Sequence, residues 1–244
     1  MSIAENIESV RGSLPEATVP SGGLTDLGQL SVPLDAVASP ARLTLTVALA
    51  GYRNEYDVWV YPPVAPVCPP DVYETAHLNA AAEQVLAQGG IVYLTPPSTR
   101  EALPQSIQAQ FSPDFWSVGT FAGQEGGMGQ LIDAAHPLFD GFPTQSHTDW
   151  PWWPMANQRA LILPRPWQAI VTVMDSYATL RPMAQLFECR AGGGRLLVSS
   201  LALQDLQQYP EARALLNRVY AYLASAQFRP CQELSIEDVR RLVP

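Results

Sequence analysis

Hydrophobic and polar residues alternate along the early part of the chain, and that alternation stops near position 62. Positions 43–49 (LTLTVAL) and 56–61 (YDVWVY) alternate apolar and polar side chains and are rich in β-branched and aromatic residues. A period of two predicts strands, because successive side chains leave a strand on opposite faces. Residues 51–54 make a turn between them, and Ser21, Gly22 and Gly23, then Ser39 and Pro40, supply further turn signals. Residues 1–61 therefore read as a β-rich segment, the end of a β-sandwich. A complete sandwich takes about 100 residues, so the chain reads as cut from something longer.

Five of the nine residues 62–70 are proline. Such a run cannot enter a helix or an inner strand, and it predicts a stiff, extended hinge at a domain boundary.

Past the hinge the apolar period becomes helical. Asp71 and Glu74 have the spacing of a capping box, and Leu78, Ala81, Ala82, Val85 and Leu86 fall on one helical face. Gly89 and Gly90 end that helix, and the unbroken apolar run 91–94 (IVYL) predicts a buried strand. A second helix is expected over 128–135, stopped by Pro137, and further strands over 160–163 and 169–174. Stretches 186–190 and 195–200 flank the glycines 192–194 as a hairpin. Pro210 opens a long helix in which Leu215, Leu216, Val219, Tyr222, Leu223 and Ala226 share a face. Helices interleaved with apolar strands predict an α/β fold over 71–230, with an open, mostly parallel sheet and helices on both faces. Residues 231–244 are left as a C-terminal tail.

Composition narrows the function classes. The chain is 47% hydrophobic and 15% charged, proportions of a globular core. No apolar run reaches the roughly 18 residues of a membrane span, and residues 1–10 have neither a basic start nor an apolar stretch. The default expectation is a cytoplasmic location. A net charge of −9 argues against a nucleic-acid surface. All 14 basic residues are Arg, which excludes lysine chemistry: no Schiff base and no phosphate-loop Lys. Cys68, Cys189 and Cys231 are odd in number, far apart and in no paired motif, so neither disulfides nor a zinc ribbon is expected.

Candidate chemistry is sparse. The stretch 123–129 (GQEGGMG) lacks the strand-turn-helix setting of a dinucleotide loop, and Glu125 would repel a pyrophosphate. No Ser or Cys sits at a strand-to-helix elbow flanked by glycine, the place of a nucleophile in doubly wound hydrolases. The densest cluster is 136–153, which holds His136, His147, Asp149, Trp150, Trp152 and Trp153. Three readings of it stand open. The aromatic faces could stack on sugar rings while Asp149 and the histidines bond hydroxyls. The loop could fold onto the sheet or dock on a neighbouring domain. His136, His147 and Asp149 could hold a metal, although their spacing matches no established metal motif.

Several of these features occur in an ordered series: 54–62 (NEYDVWVYP), the helix-strand step 86–96, Phe115 and Trp116, the run from His136 to Trp150, and Phe187 and Glu188 followed by 192–200 (GGGRLLVSS). Taken together, over roughly residues 40–230, they resemble the C-terminal portion of a sugar-binding branch of family 2 glycoside hydrolases. The resemblance implies a β-sandwich passing into a flavodoxin-like domain similar to class I glutamine amidotransferases. It further implies a parent enzyme acting on glycosidic bonds, whose catalytic carboxylates lie upstream. Asn54 and Glu55 match the Asn-Glu pair that carries the acid/base carboxylate in that family's barrel. Here the pair lies in a β-rich segment without the about 250 residues of a barrel. The sequence thus reads as a non-catalytic accessory domain serving domain packing, oligomerisation or weak sugar binding, with no catalytic residue, cofactor or metal of its own. Its expected partners are the upstream domains, carbohydrate, or further copies of itself; neither nucleic acid nor membrane is expected. A stand-alone hydrolase using His147 and Asp149 with an unrecognised nucleophile, and a small carbohydrate-binding protein, are the alternatives.

Overall fold

The computed structural model describes residues 10–112, 121 and 123–244. The chain divides into two compact units, Met1–Pro62 and Pro63–Pro244.

The smaller unit is built on one antiparallel hairpin, β1 (Ala41–Leu49) and β2 (Tyr52–Val60), in register from Ala41 opposite Val60 to Leu49 opposite Tyr52. Both turn residues take positive φ, 48° at Ala50 and 87° at Gly51. That mirror-image turn matches the right-handed twist of the strands it joins.

The larger unit is a mixed eight-stranded sheet. Its strands are β3 (Val72–Thr75), β4 (Ile91–Leu94), β5 (Ser106–Gln108), β6 (Gln130–Ile132), β7 (Arg159–Ile162), β8 (Val171–Val173), β9 (Met183–Ala191) and β10 (Gly194–Ser199). The main path runs β3-β4-β10-β9-β7-β5, while β8 pairs with β9 and β6 with β8. Among the strands of the described residues, the pairs β3–β4 and β4–β10 are parallel and the other strand pairs are antiparallel.

The expectation of a mostly parallel flavodoxin- or amidotransferase-like sheet with helices on both faces is therefore overturned. A parallel connection needs a crossover of about a dozen residues or more, usually a helix. Residues 174–182, which join β8 to β9, contain no helix and return the chain antiparallel. Residues 163–170, also without a helix, carry it from β7 to β8, and both of those strands run antiparallel to β9. Among the described residues the α-helices are few: α1 (Ala80–Ala87), α2 (Trp153–Ala156), α3 (Pro210–Leu223) and α4 (Ile236–Leu242).

Local departures have local causes. Asp71 and Glu74 do not cap a helix, because Val72 to Thr75 pair with β4 as a strand. The first helix starts later, where the Asn79 side chain accepts a hydrogen bond from the Ala82 N–H at 2.9 Å. No helix spans 128–135. Gly129 sits at φ 117°, closed to a helix, and Met174 exchanges backbone bonds with Met128 and Gly129, leading into β6. The expected tail contains α4, capped by Ser235, and it buries Val239, Leu242 and Val243.

Val92, Leu94, Cys189, Ala191, Leu196 and Val198 share one core with Ala82 and Leu86 of α1 and Val239 and Leu242 of α4. Alternate strand positions meet α3 instead. The Tyr93 ring packs edge-on to Tyr220 at 6.2 Å, and Glu188 accepts a 2.7 Å bond from the Tyr222 hydroxyl. The β9–β10 turn brings α1 close: a Cβ on Gly194 would lie 2.7 Å from the Leu86 Cα and from the Gly90 carbonyl oxygen.

Candidate aromatic binding platform

The Trp-rich segment folds as a 3-10 helix, Trp150–Trp152, running directly into α2. Pro151 and Pro154 fall near the two helix starts, where a missing N–H does no harm. In this geometry residues three apart stack on one side. Trp150 and Trp153 accordingly project outward, 69% and 51% exposed, while Trp152 points in at 1%. The Trp152 Nε1–H donates to Thr144 Oγ1 at 3.0 Å, and its ring meets Phe139 and Phe142 edge-on.

A third ring completes the outer surface. Phe111 stacks on Trp150 with centroids 5.8 Å apart and planes at 29°, and it meets Trp153 edge-on at 5.3 Å. Trp150 and Trp153 are 6.3 Å apart. Asn157 fixes this arrangement. Its Oδ1 accepts from the Phe111 N–H at 3.0 Å, and its Nδ2 donates to the Trp153 carbonyl at 2.7 Å. Beneath it, Gln130 and Gln185 both donate to the Ala156 carbonyl, at 2.9 and 3.1 Å, so buried amides hold the end of α2. The result is a fixed group of three aromatic rings, two of them largely in solvent, with Asp149 starting the helix. His147 Nε2 lies 3.6 Å from Asp149 Oδ1, adding polar groups that can bond hydroxyls.

The remaining predicted site residues divide. His136 is paired with Glu188 and Tyr222, whereas His147 is paired with Asp149. The His136 Nδ1 accepts the Leu138 N–H at 3.3 Å, which leaves Nε2–H directed at Glu188 Oε2, 3.9 Å away. Burial depresses the His136 pKa against the opposing pull of Asp133 and Asp140, and burial raises that of Glu188 against its bond from Tyr222. Both shifts favour neutral forms in a half-dry pocket. Among the described residues no group of three His, Cys, Asp or Glu is arranged to hold a metal ion.

Two of the three thiols, Cys68 and Cys189, are poor nucleophiles in place. Burial pushes Cys189 up to about 12, and burial with the neighbouring Glu74 pushes Cys68 to about 11. Asn54 and Glu55 lie exposed in β2, with Glu55 bonded to Arg53. Glu125 of the glycine-rich stretch sits between Arg100 at 3.6 Å and the buried Arg159 at 3.7 Å, and β6 rather than a helix follows it. Phe115 and Trp116 lie outside the described residues.

Sequence reasoning missed Phe111 and Asn157. The 150/153 spacing carried a local signal for the outer pair of rings. Phe111 carried none, since it reaches the platform through the pairing of β5 with β7.

Fold and site define a chain with a small β-hairpin unit and a larger mixed-sheet unit bearing an exposed aromatic platform. Residues 73–244 match the family described as Domain of unknown function (DUF8487), and the chain belongs to that family. Residues 3–62 match a second, described as Domain of unknown function (DUF8488). No curated protein matches the chain.

Proposed function

We propose that this chain is a non-catalytic accessory module of a carbohydrate-active enzyme, and that it contacts carbohydrate through Phe111, Trp150 and Trp153. The observation that carries the reading is the pair of solvent-facing indoles backed by a third ring and fixed by Asn157. Pyranose rings present faces of C–H groups that stack on indoles, and a preorganised platform loses little side-chain entropy on binding. His147 and Asp149 supply donors and acceptors beside it. The link to glycoside hydrolases rests on the ordered motifs over residues 40–230, and the enzyme's upstream domains are the partners this reading assigns.

Isothermal titration of the full chain against a panel of plant and bacterial oligosaccharides tests the proposal. Saturable binding weakened at least tenfold by Trp150→Ala is the expected result. Absence of binding across the panel, or binding untouched by Trp150→Ala and Trp153→Ala, overturns it.

A further inference from the structure

The β1–β2 register sorts the hairpin into two unlike faces. Ala41, Leu43, Leu45, Val47 and Leu49 stand opposite Val60, Val58, Tyr56, Asn54 and Tyr52. Paired residues share a face, so this one is apolar except for Asn54. The other face carries Arg42, Thr44, Arg53, Glu55 and Asp57, tied together by the Thr44–Asp57 hydrogen bond at 2.9 Å and the Arg42–Asp57 ion pair at 3.8 Å. On the apolar face Leu45, Val47, Leu49, Tyr52, Tyr56 and Val58 are between 43% and 82% exposed. Two strands alone make a marginal sheet in water, and a one-sided apolar sheet is a half-built sandwich.

We infer that this face is a homodimer interface, covered by the same face of a second copy. The face carries no charge, so chains of net charge −9 can meet there without placing like charges in contact. Six partly exposed Leu, Val and Tyr side chains offer on the order of 600 Å² per copy, hence roughly 1,200 Å² between two copies, which reaches the size of a specific interface. A contiguous apolar patch of that extent lies at the upper end of what monomeric proteins leave in water, where such patches are often interaction surfaces. A two-fold axis near the central rung, Leu45 and Tyr56, makes the contact isologous, with each hairpin supplying the missing second layer of the other.

Sedimentation velocity of the full 244-residue chain between about 1 and 100 µM reads this directly. The wild type is expected to shift from monomer towards dimer over that range. Leu45→Asp, checked for unchanged far-UV circular dichroism, is expected to stay monomeric, with the dissociation constant raised at least tenfold. Thr46→Asp, on the opposite face, is expected to dimerise as the wild type does. A wild type monomeric throughout means that something other than a second copy covers the face, and overturns the inference. A dimer that persists in both Leu45→Asp and Val58→Asp overturns it too, by placing the interface elsewhere. Neither result depends on sugar, so failure here and failure of the carbohydrate reading are separately visible.

Discussion

At Trp152 the indole is sealed in the core and hydrogen-bonded to Thr144, while two positions earlier the Trp150 indole stands in solvent. Truncating a buried indole leaves a large cavity, so Trp152→Ala is expected to cost about 3–5 kcal/mol. Trp150→Ala, at the surface, is expected to stay within about 0.5 kcal/mol of wild type. Urea denaturation followed by circular dichroism separates the two, and a stability loss at Trp150 equal to that at Trp152 would mean that the outer rings are packing residues. Asp175 provides a second test at this scale. Its side chain is 1% exposed and accepts the Arg181 backbone N–H at 2.6 Å and the guanidinium at 2.8 and 3.0 Å. Burial alone would raise its pKa, but the bonds from Arg181, Thr179 and Ser176 outweigh that and hold it at about 2, below its ordinary 3.8. A depressed carboxyl stabilises the fold above its unfolded pKa and loses that contribution as pH falls towards the folded value. With allowance for the partly exposed Arg181, Asp175→Asn is expected to cost about 2 kcal/mol at pH 7. The gap between variant and wild type should close between about pH 4.5 and 2, and a gap that is constant with pH would show that the ion pair is not its source.

Among the elements, α4 rests on its cap. Ser235 Oγ accepts the Asp238 N–H at 3.0 Å and bonds the Asp238 carboxylate at 2.7 Å. Ser235→Ala is expected to lower stability by about 1 kcal/mol in a denaturant titration. A change below about 0.3 kcal/mol would mean that core burial of Val239 and Leu242 alone holds the helix. That cap, with Ile236, Val239 and Leu242 behind it, was present in the sequence at helical spacing, although the segment read as a tail. Elements with a strong local period were legible: β1, β2, β4, the β9–β10 hairpin across Gly192 and Gly193, and α3 after Pro210. Strands whose reason to exist lies far away in sequence were not. β5 is only Ser106–Gln108 and has one aliphatic residue, and it becomes a strand by pairing with β7. Direction was equally hidden, because a short apolar run looks the same in parallel and antiparallel sheets. The directions of β7 and β8 are set by their shared antiparallel partner β9, a tertiary pairing that no local pattern encodes. For the site, the spacing of Trp150 and Trp153 marked the outer rings, but the third ring and its Asn157 clamp depend on tertiary contacts that no local pattern encodes.

Over the whole molecule, charge and the proposed binding are kept apart. The chain carries −9 with Arg as its only strong base, yet the platform is aromatic and the hairpin face uncharged. Binding through stacked rings is insensitive to screening, unlike contacts between exposed charges. Oligosaccharide affinity is therefore expected to change less than twofold between about 50 and 500 mM NaCl, and a steep loss with salt would point to ionic recognition away from the platform. The central claim, that Trp150 and Trp153 meet carbohydrate while Trp152 only packs, is tested most directly by nuclear magnetic resonance. The measurement follows the six tryptophan indole N–H signals of the ¹⁵N-labelled chain, assigned by single Trp→Phe variants, during titration with the best oligosaccharide of the panel. The account predicts saturable shifts of the Trp150 and Trp153 signals with that of Trp152 unmoved. Shifts confined to other tryptophans, or none at saturating sugar, would contradict it.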